Sequence, residues 1–311
     1  MPSEAPKVSF TVLLAFLANL AVAIAKTIVA LFTASASITA EAAHSWADVG
    51  NEVFLLVADR RGARKQDAAH PLGFGRETYF WSTIAAFGLF TAGAVFSIVH
   101  GIQQLSQPER STEFWIAYLV LGVSAIFESV SFLQALRQAR AGAKQRGRGT
   151  LQHVLQSSNS TLRAVFAEDS AALVGLVLAF LGVLLHQLTG SAVYDAVGSI
   201  LIGVLLAIVA LVLIERNRRF LVGQEANSDM DRAAVRTLLE QAEIDRVTYV
   251  HLEFVGPERV FLVAAIDLAG DEPESAVAVT LRALEDRITR SDNIEQAVLT
   301  LSTASEPSLE G

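Results

Sequence analysis

Long apolar stretches dominate the first two thirds of the chain. An α-helix rises about 1.5 Å per residue, so about 20 apolar residues cross the roughly 30 Å hydrocarbon core of a bilayer. Six stretches reach that length, and we predict that each is a membrane-spanning helix: Val8–Phe32, Ile38–Ala58, Tyr79–Gln103, Phe114–Leu136, Leu162–Leu185 and Val193–Ile214. The first is too long for the apolar core of a signal peptide and is interpreted as a span.

The pattern changes after Arg219, where amphipathic and alternating segments replace the long apolar ones. It predicts, in order, a helix capped by Ser228 or Asp229, two strands, a second helix and a last strand: Met230–Ala242, Val247–Val255, Val260–Leu268, Pro273–Ile288 and Ala297–Leu301. This αββαβ order suits a ferredoxin-like sandwich. The predicted fold is therefore an all-α six-helix transmembrane bundle in residues 1–219 plus a C-terminal α+β ferredoxin-like cytosolic domain in residues 220–311.

Composition agrees with a chain that lies mostly in a membrane. Hydrophobic residues make up 52% of it, charged residues only 18%, and the mean hydropathy is +0.43. There is no cysteine, which excludes disulfides, thiolate metal ligands and thiol redox chemistry. Residues 224–311 carry 18 acidic side chains against seven arginines, as expected for a separate soluble domain.

Positive charges predict the orientation of the spans, because cytoplasmic loops carry an excess of lysine and arginine. They cluster after the second, fourth and sixth predicted spans: Arg60, Arg61, Arg64, Lys65, Arg76, Arg137, Arg140, Lys144, Arg146, Arg148, Arg216, Arg218 and Arg219. We expect a multi-pass protein of a bacterial inner (plasma) membrane with both termini in the cytoplasm.

The second span contains the first candidate for chemistry. His44 and Asp48 are four residues apart, so they share one helical face, and Glu41, Asn51 and Glu52 lie on or near that stripe. Ionisable groups at bilayer depth are costly and are retained mainly where they bind or relay something. The pattern predicts half of a cation site. The alternative is that these side chains only pair with each other or with neighbouring helices.

The fifth span offers the opposing carboxylates, Glu168 and Asp169. Counted from the basic residues at the cytoplasmic ends, Asp48 and Asp169 lie at depths that agree within one or two helical turns. Antiparallel packing of the two spans would bring them together. Adjacent helical residues point about 100° apart, so we expect Asp169 to be the safer ligand unless the helix is distorted or water bridges Glu168 to the ion.

Other polar residues have structural explanations as well as functional ones. Lys26, near one face with Asn19, can neutralise a carboxylate or extend toward the outer interface. Glu128 can carry protons or hydrogen-bond across the bundle, and Asn51 and Glu52 can orient the ligands. We expect His251, with Glu253 on the same strand face, to be structural, so no cytosolic metal cluster is predicted.

Several motifs resemble the cation diffusion facilitator transporters. The segment 67–81, DAAHPLGFGRETYFW, is similar to a long signature of that family, and residues 40–48, AEAAHSWAD, resemble its second-helix ligand motif. Residues 195–200, DAVGSI, resemble the start of its sixth helix, and residues 221–224, LVGQ, resemble the junction to its cytosolic domain. The similarity covers essentially the whole chain.

The resemblance implies a homodimer that exports divalent cations such as zinc in exchange for protons. The family usually has two ligands on helix two, which His44 and Asp48 match, and an HxxxD pair on helix five. Here Asp169 takes the aspartate position and Val165 stands where the histidine is expected, so Glu168 is the candidate replacement. This arrangement resembles a divergent branch that includes organellar zinc transporters.

The donor set fits zinc first, and the shift from imidazole toward carboxylate also suits manganese. The expected metal ligands are His44, Asp48, Asp169 and Glu168, with no resident cofactor, and the expected partners are the metal ion, protons, membrane lipid and a second copy of the chain, without nucleic acid. An intramembrane metalloenzyme and a non-transporting scaffold are the alternatives from other classes. No HExxH, nucleophile elbow or phosphate-binding glycine loop supports an enzyme.

Overall fold

The fold is seen in a computed structural model that describes residues 10–106, 114–145 and 147–309. It contains two compact units: the described residues up to Arg60 with residues 80–217, and residues 61–79 with 218–309. Val8, where the first predicted span starts, lies outside the described residues. The second unit takes in a segment between the second and third predicted spans, a grouping that hydropathy alone does not indicate.

Helices make up the first unit, and three of them extend beyond its borders. In chain order they are α1 (Phe10–Thr33), α2 (Ala36–Gly62), α3 (Glu77–Ala85), a π-helical turn (Ala86–Phe90), α4 (Thr91–Ser106), α5 (Phe114–Gln145), α6 (Thr150–Gln156), α7 (Ser160–Thr189) and α8 (Val193–Leu221). α5 continues nine residues beyond its predicted end at Leu136. The short helix α6 was not predicted, because seven residues are too few to give a hydropathy signal.

Five helical segments are long and apolar enough to cross a membrane, within the residues that the structure describes: Phe16–Thr33, Glu77–Ser106, Phe114–Lys144, Ser160–Thr189 and Val193–Leu221. α2 is not among them. Its 27 residues are ample in length, but Glu41, Asp48 and Glu52 interrupt the apolar run, and its buried residues include more polar side chains than large apolar ones. The prediction of six spans therefore depends on α2, which corresponds to the second predicted span, Ile38–Ala58.

Small residues set the closest approach between α4 and α8. A Cβ added to Gly101 would lie 2.8 Å from the carbonyl oxygen of Ala196, and one added to Gly203 would lie 2.8 Å from that of Ala94. Spanning helices associate mainly by such close backbone packing, because lipid is as apolar as their side chains. This contact and the buried Phe90, among other apolar residues, give the helical unit its core.

The start of α2 is held by a residue from α8. Asp195, which is fully buried, accepts hydrogen bonds from the Ser35 hydroxyl at 2.8 Å and from the backbone N–H groups of Ala36 at 2.6 Å and Ser37 at 3.2 Å. The first N–H groups of a helix have no partner within the helix itself. Asp195 thus caps α2 from about 160 residues away in the sequence.

The second unit contains the αββαβ order predicted from the sequence, which is confirmed. Its elements are α9 (Ser228–Leu239), β1 (Ile244–Gly256), β2 (Arg259–Leu268), α10 (Glu274–Thr289) and β3 (Ile294–Leu301). The sheet order is β1-β2-β3, with β1 antiparallel and β3 parallel to β2. The predicted cap of α9 was wrong: the side chain of Asn227 accepts the hydrogen bond from the backbone N–H of Met230.

Residues 61–79 pack within the second unit, against the β1–β2 hairpin and the end of α8. A Cβ on Gly75 would lie 2.5 Å from the carbonyl oxygen of Val255, so only glycine allows this approach of two backbones. Arg76 forms a salt bridge with Glu253, and the rings of Tyr79 and Phe220 stack with centroids 5.0 Å apart. Hydrogen bonds, charge and aromatic packing all fix this segment.

Candidate functional site

α2 and α7 pack antiparallel, and three contacts define their register. Thr161 donates a hydrogen bond to Asp59 at 3.3 Å, and Asn51 donates one to Glu168 at 2.5 Å. Further along, a Cβ on Gly175 would collide with Oε1 of Glu41, so the glycine leaves room for that carboxylate. The antiparallel arrangement inferred from depth is thus present, with the two acidic stretches facing each other.

A small polar cavity lies inside the helical unit beside this contact. Its volume is about 20 Å³, room for roughly one ion or one water molecule. Four helices contribute its lining: Asn19 and Val22 from α1, Ser45 and Asp48 from α2, Glu128 and Ser131 from α5, and Glu168 and Asp169 from α7. Four of the eight lining residues are carboxylates, which concentrates acceptors for a cation.

His44 lies against the predicted site without lining this cavity. It is buried, and its Nε2 lies 3.7 Å from Oδ2 of Asp48, beyond an ordinary hydrogen bond. Among the described residues, neither ring nitrogen of His44 has a hydrogen-bond partner, and neither does Oδ1 of Asp48. Buried polar atoms are nearly always paired. Unpaired nitrogen and oxygen four residues apart are the donor atoms that a metal ion would satisfy.

Glu168 and Asp169 reach the same cavity from two sides of an uninterrupted helix. Glu168 is bonded to Asn51 of α2, whereas Asp169 accepts a hydrogen bond from Ser131 of α5 at 2.9 Å. Both carboxylates are buried to the same extent. The two side chains point in different directions, as helical geometry requires for adjacent residues, but both border the cavity. Val165, one turn earlier, does not line it.

The carboxylates and the imidazole do not surround a common point. Within the described residues, no group of three or more histidine, aspartate or glutamate side chains is arranged to hold a metal ion. What the structure brings together is a ring of oxygen donors with one imidazole beside it. Closure around an ion would require side-chain movement.

Sequence reasoning missed part of the lining. Ser45, Ser131 and Asn19 were not proposed as site residues, although all three border the cavity. Ser45 directly follows His44, and Asn19 donates to Glu52 at 2.5 Å. Serine and asparagine occur commonly between spanning helices, so their type alone gave no signal.

The comparisons with known proteins decide the family. A model of the cation efflux transmembrane domain matches residues 12–222, about two thirds of the chain. The chain belongs to the cation efflux family. Members of this family are transporters rather than enzymes, and the helical unit is a multi-pass membrane domain.

Relatives of the cation efflux chain include proteins from plants and vertebrates. It is 35% identical over 234 residues to metal tolerance protein C4 of Arabidopsis thaliana, a match that covers 75% of this chain and 51% of the relative. It is 33% identical over 240 residues to the mitochondrial proton-coupled zinc antiporter SLC30A9 of Xenopus laevis, covering 77% and 43%. The human SLC30A9 protein is 29% identical and is covered to 42%. The chain spans about half the length or less of these relatives.

Two histidines lie in the second unit of this cation efflux protein. His251 has Glu225 at 3.5 Å and Glu253 at 4.0 Å, and Glu253 also binds Arg76. In the signature segment, His70 Nδ1 lies 2.9 Å from Oδ1 of Asp67 at the surface. This hydrogen bond, with two backbone N–H donors, holds the pKa of Asp67 below its usual range. The geometry favours a structural turn.

Proposed function

We propose that this protein is a six-span divalent metal cation transporter that exports zinc, or a similar ion, from the cytoplasm in exchange for protons. The observation that carries the proposal is the cavity among α1, α2, α5 and α7, bordered by Asp48, Glu168 and Asp169. Carboxylates at this depth are costly unless they serve an ion pathway. The SLC30A9 relatives are named proton-coupled zinc antiporters, which supports the same chemistry for this chain.

In this proposal Asp48 and Asp169 are the principal oxygen ligands, and His44 supplies a nitrogen. Glu168 is the fourth ligand, in place of the histidine that Val165 has replaced. The entering ion draws these groups together, because the unpaired atoms of His44 and Asp48 gain a partner that they otherwise lack. Glu41, Asn51, Glu52 and Glu128 orient the ligands or carry protons.

Zinc is the first choice of ion and manganese is the second. Zinc accepts a mixture of nitrogen and oxygen ligands at about 2.0 to 2.2 Å, and its site is usually tetrahedral. A site with three carboxylates and one imidazole has fewer nitrogen donors than zinc sites commonly use, which leaves harder ions such as manganese as competitors.

Proton exchange follows from the ligands themselves. Histidine must be neutral and carboxylic acids must be ionised before they bind a metal, so metal entry releases protons and proton entry releases metal. An inward proton gradient then empties the site toward the outside. The same residues that hold the ion also couple it to protons.

We also propose how the chain spans the membrane, how it assembles and where it is located. α2 crosses the membrane as well, which makes six spans in all. Residues 1–219 form the transport domain and residues 220–311 a ferredoxin-like cytosolic domain. The active form is a homodimer in a bacterial inner membrane, with both termini in the cytoplasm. The chain's acidic C-terminal part attracts cations weakly to the surface from which they are exported.

The test is metal flux in proteoliposomes that contain the full chain. Zinc and manganese uptake is measured at two pH values, with and without a pH gradient, for the wild type, Asp48→Asn and the control Asp59→Asn. Asp59 lies on the same helix outside the cavity, and asparagine at this position still offers an oxygen to the Thr161 hydroxyl. We expect Asp48→Asn to lose flux and Asp59→Asn to keep it. Equal flux in both variants would refute the site, and flux indifferent to the gradient would refute proton exchange.

A further inference from the structure

A buried lysine contacts one of the residues that line the cavity. Nζ of Lys26, on α1, donates to Oε2 of Glu41 at 3.1 Å and to the hydroxyl of Ser45 at 2.8 Å. Both ionic side chains are completely inaccessible to solvent. Removing two charged groups from water is unfavourable before their mutual attraction is counted, so a buried pair of this kind is unusual in a helix bundle.

The pair is adjacent to the proposed metal ligands without including any of them. Glu41 precedes His44 by three residues and Ser45 follows it directly. Ser45 borders the cavity, so the ammonium group contacts a residue that lines the space for the ion. An ammonium group has donors only, so Lys26 cannot be a metal ligand.

Glu41 meets this lysine through one of its two oxygens. Oε2 of Glu41 receives the Lys26 bond, whereas its Oε1 has no hydrogen-bond partner among the described residues and lies against Gly175. Lys26 donates to a residue that lines the cavity, Ser45, whereas Glu41 has no such bond among the described residues.

From this geometry we propose that Lys26 is a fixed internal cation that weakens the binding of divalent metal in the cavity and so speeds its release. The inference rests on the proposed transport function and identifies a further residue that controls it. A transport site must bind well enough to load but weakly enough to unload. In an interior of low dielectric constant, a unit charge acts strongly on a doubly charged ion several ångströms away. The negative charge of Glu41 reduces the repulsion between Lys26 and the metal ion, and its hydrogen bond holds the lysine in place.

A purely structural ion pair makes a different prediction. Removing either partner would then distort α2 and weaken metal binding in both cases. If Lys26 acts by its charge, removing it strengthens binding, whereas removing the charge of Glu41 leaves the lysine unopposed and weakens binding. The sign of the Lys26 effect separates the two explanations.

The experiment measures zinc affinity and efflux rate for the full chain as wild type, Lys26→Met, Lys26→Arg, Glu41→Gln and the double variant Lys26→Met with Glu41→Gln. We expect about tenfold tighter zinc binding and slower efflux for Lys26→Met, about tenfold weaker binding for Glu41→Gln, and affinities near wild type for the other two. Thermal melting checks that each variant is folded.

Weaker or unchanged affinity in folded Lys26→Met would overturn the proposal. If that variant does not fold, the double variant decides, because removing the charge of Lys26 should restore the affinity that Glu41→Gln loses. A double variant that binds zinc as weakly as Glu41→Gln would also overturn the proposal. Failure of the transport function itself looks different, because the wild type would then bind no zinc or Asp48→Asn would bind as well as the wild type.

Discussion

The side-chain amide of Asn51 donates a hydrogen bond of 2.5 Å to the carboxylate of Glu168 and so ties α2 to α7 beside the cavity. One oxygen of Glu168 is thereby oriented by a neutral donor rather than by another charge. Asn51 lies three residues beyond Asp48, nearly one helical turn. The contact links the two halves of the proposed site.

We expect Asn51→Ala to lower zinc affinity by about tenfold, since groups that orient a ligand are typically worth about 10- to 100-fold in metal binding. Calorimetric titration of the full chain in detergent measures it. The control is Ser170→Ala, because Ser170 bonds only to the Phe166 carbonyl of its own helix in the contacts described. An unchanged affinity for Asn51→Ala would mean that Glu168 needs no orientation, or is not a ligand.

Val165→His tests the role of the histidine that the family usually has at this position of α7. The new imidazole lies four residues before Asp169 on the same helical face and adds a nitrogen donor. We expect zinc transport to rise relative to manganese transport, because zinc favours nitrogen over oxygen more than manganese does. Uptake of both ions into proteoliposomes gives the ratio. Val177→His, at an exposed position of the same helix, should leave the ratio unchanged.

Gly75→Ala should destabilise the second unit. The added Cβ would overlap the Val255 carbonyl oxygen and the Gly256 Cα, and such overpacking against backbone costs about 1 to 3 kcal/mol. We expect a lower melting temperature for the full chain. Gly122→Ala is the control, because a Cβ there meets nothing within 4 Å. Equal melting temperatures for both variants would show that the segment around Gly75 accommodates the added Cβ without a loss of stability.

Asp67 gives a pH-dependent prediction outside the membrane. Its pKa is lowered, chiefly by the hydrogen bond from His70, so its contribution to the 67–70 turn is complete above the usual aspartate pKa and is lost as the pH falls through the lowered value. Asp67→Ala should speed amide hydrogen exchange of Ala69 and His70 at neutral pH. The difference between variant and wild type should vanish in strong acid; a difference that persisted there would contradict the assigned cause.

Hydropathy located the apolar helices correctly but did not locate their ends. α5 runs on to Gln145 because glutamine, alanine and arginine after Leu136 favour a helix although they are not all apolar. In the second unit, alternation located both long strands, whereas the cap of α9 was missed because Asn227, Ser228 and Asp229 are all good capping residues. Only the backbone direction decides among them.

The acidic residues of the candidate site could be predicted because carboxylates are rare in apolar helices. Asp48, Glu168 and Asp169 attract notice in apolar helices, and all three border one cavity. The partners that position them were not predictable, because an amide such as Asn51 or a hydroxyl such as Ser131 looks ordinary until the packing is known. Spacing along one helix also cannot show which residue of another helix lies opposite.

The capping of α2 by Asp195 has a consequence for biosynthesis. α2 leaves the ribosome about 160 residues before its cap, a delay on the order of ten seconds or more at about 5 to 20 residues per second. Until α8 is in place, the first N–H groups of the helix that carries His44 and Asp48 must find other acceptors, since bilayer hydrocarbon offers none. The helix that carries these proposed ligands therefore gains its N-terminal cap only after the last helix of the bundle has been made.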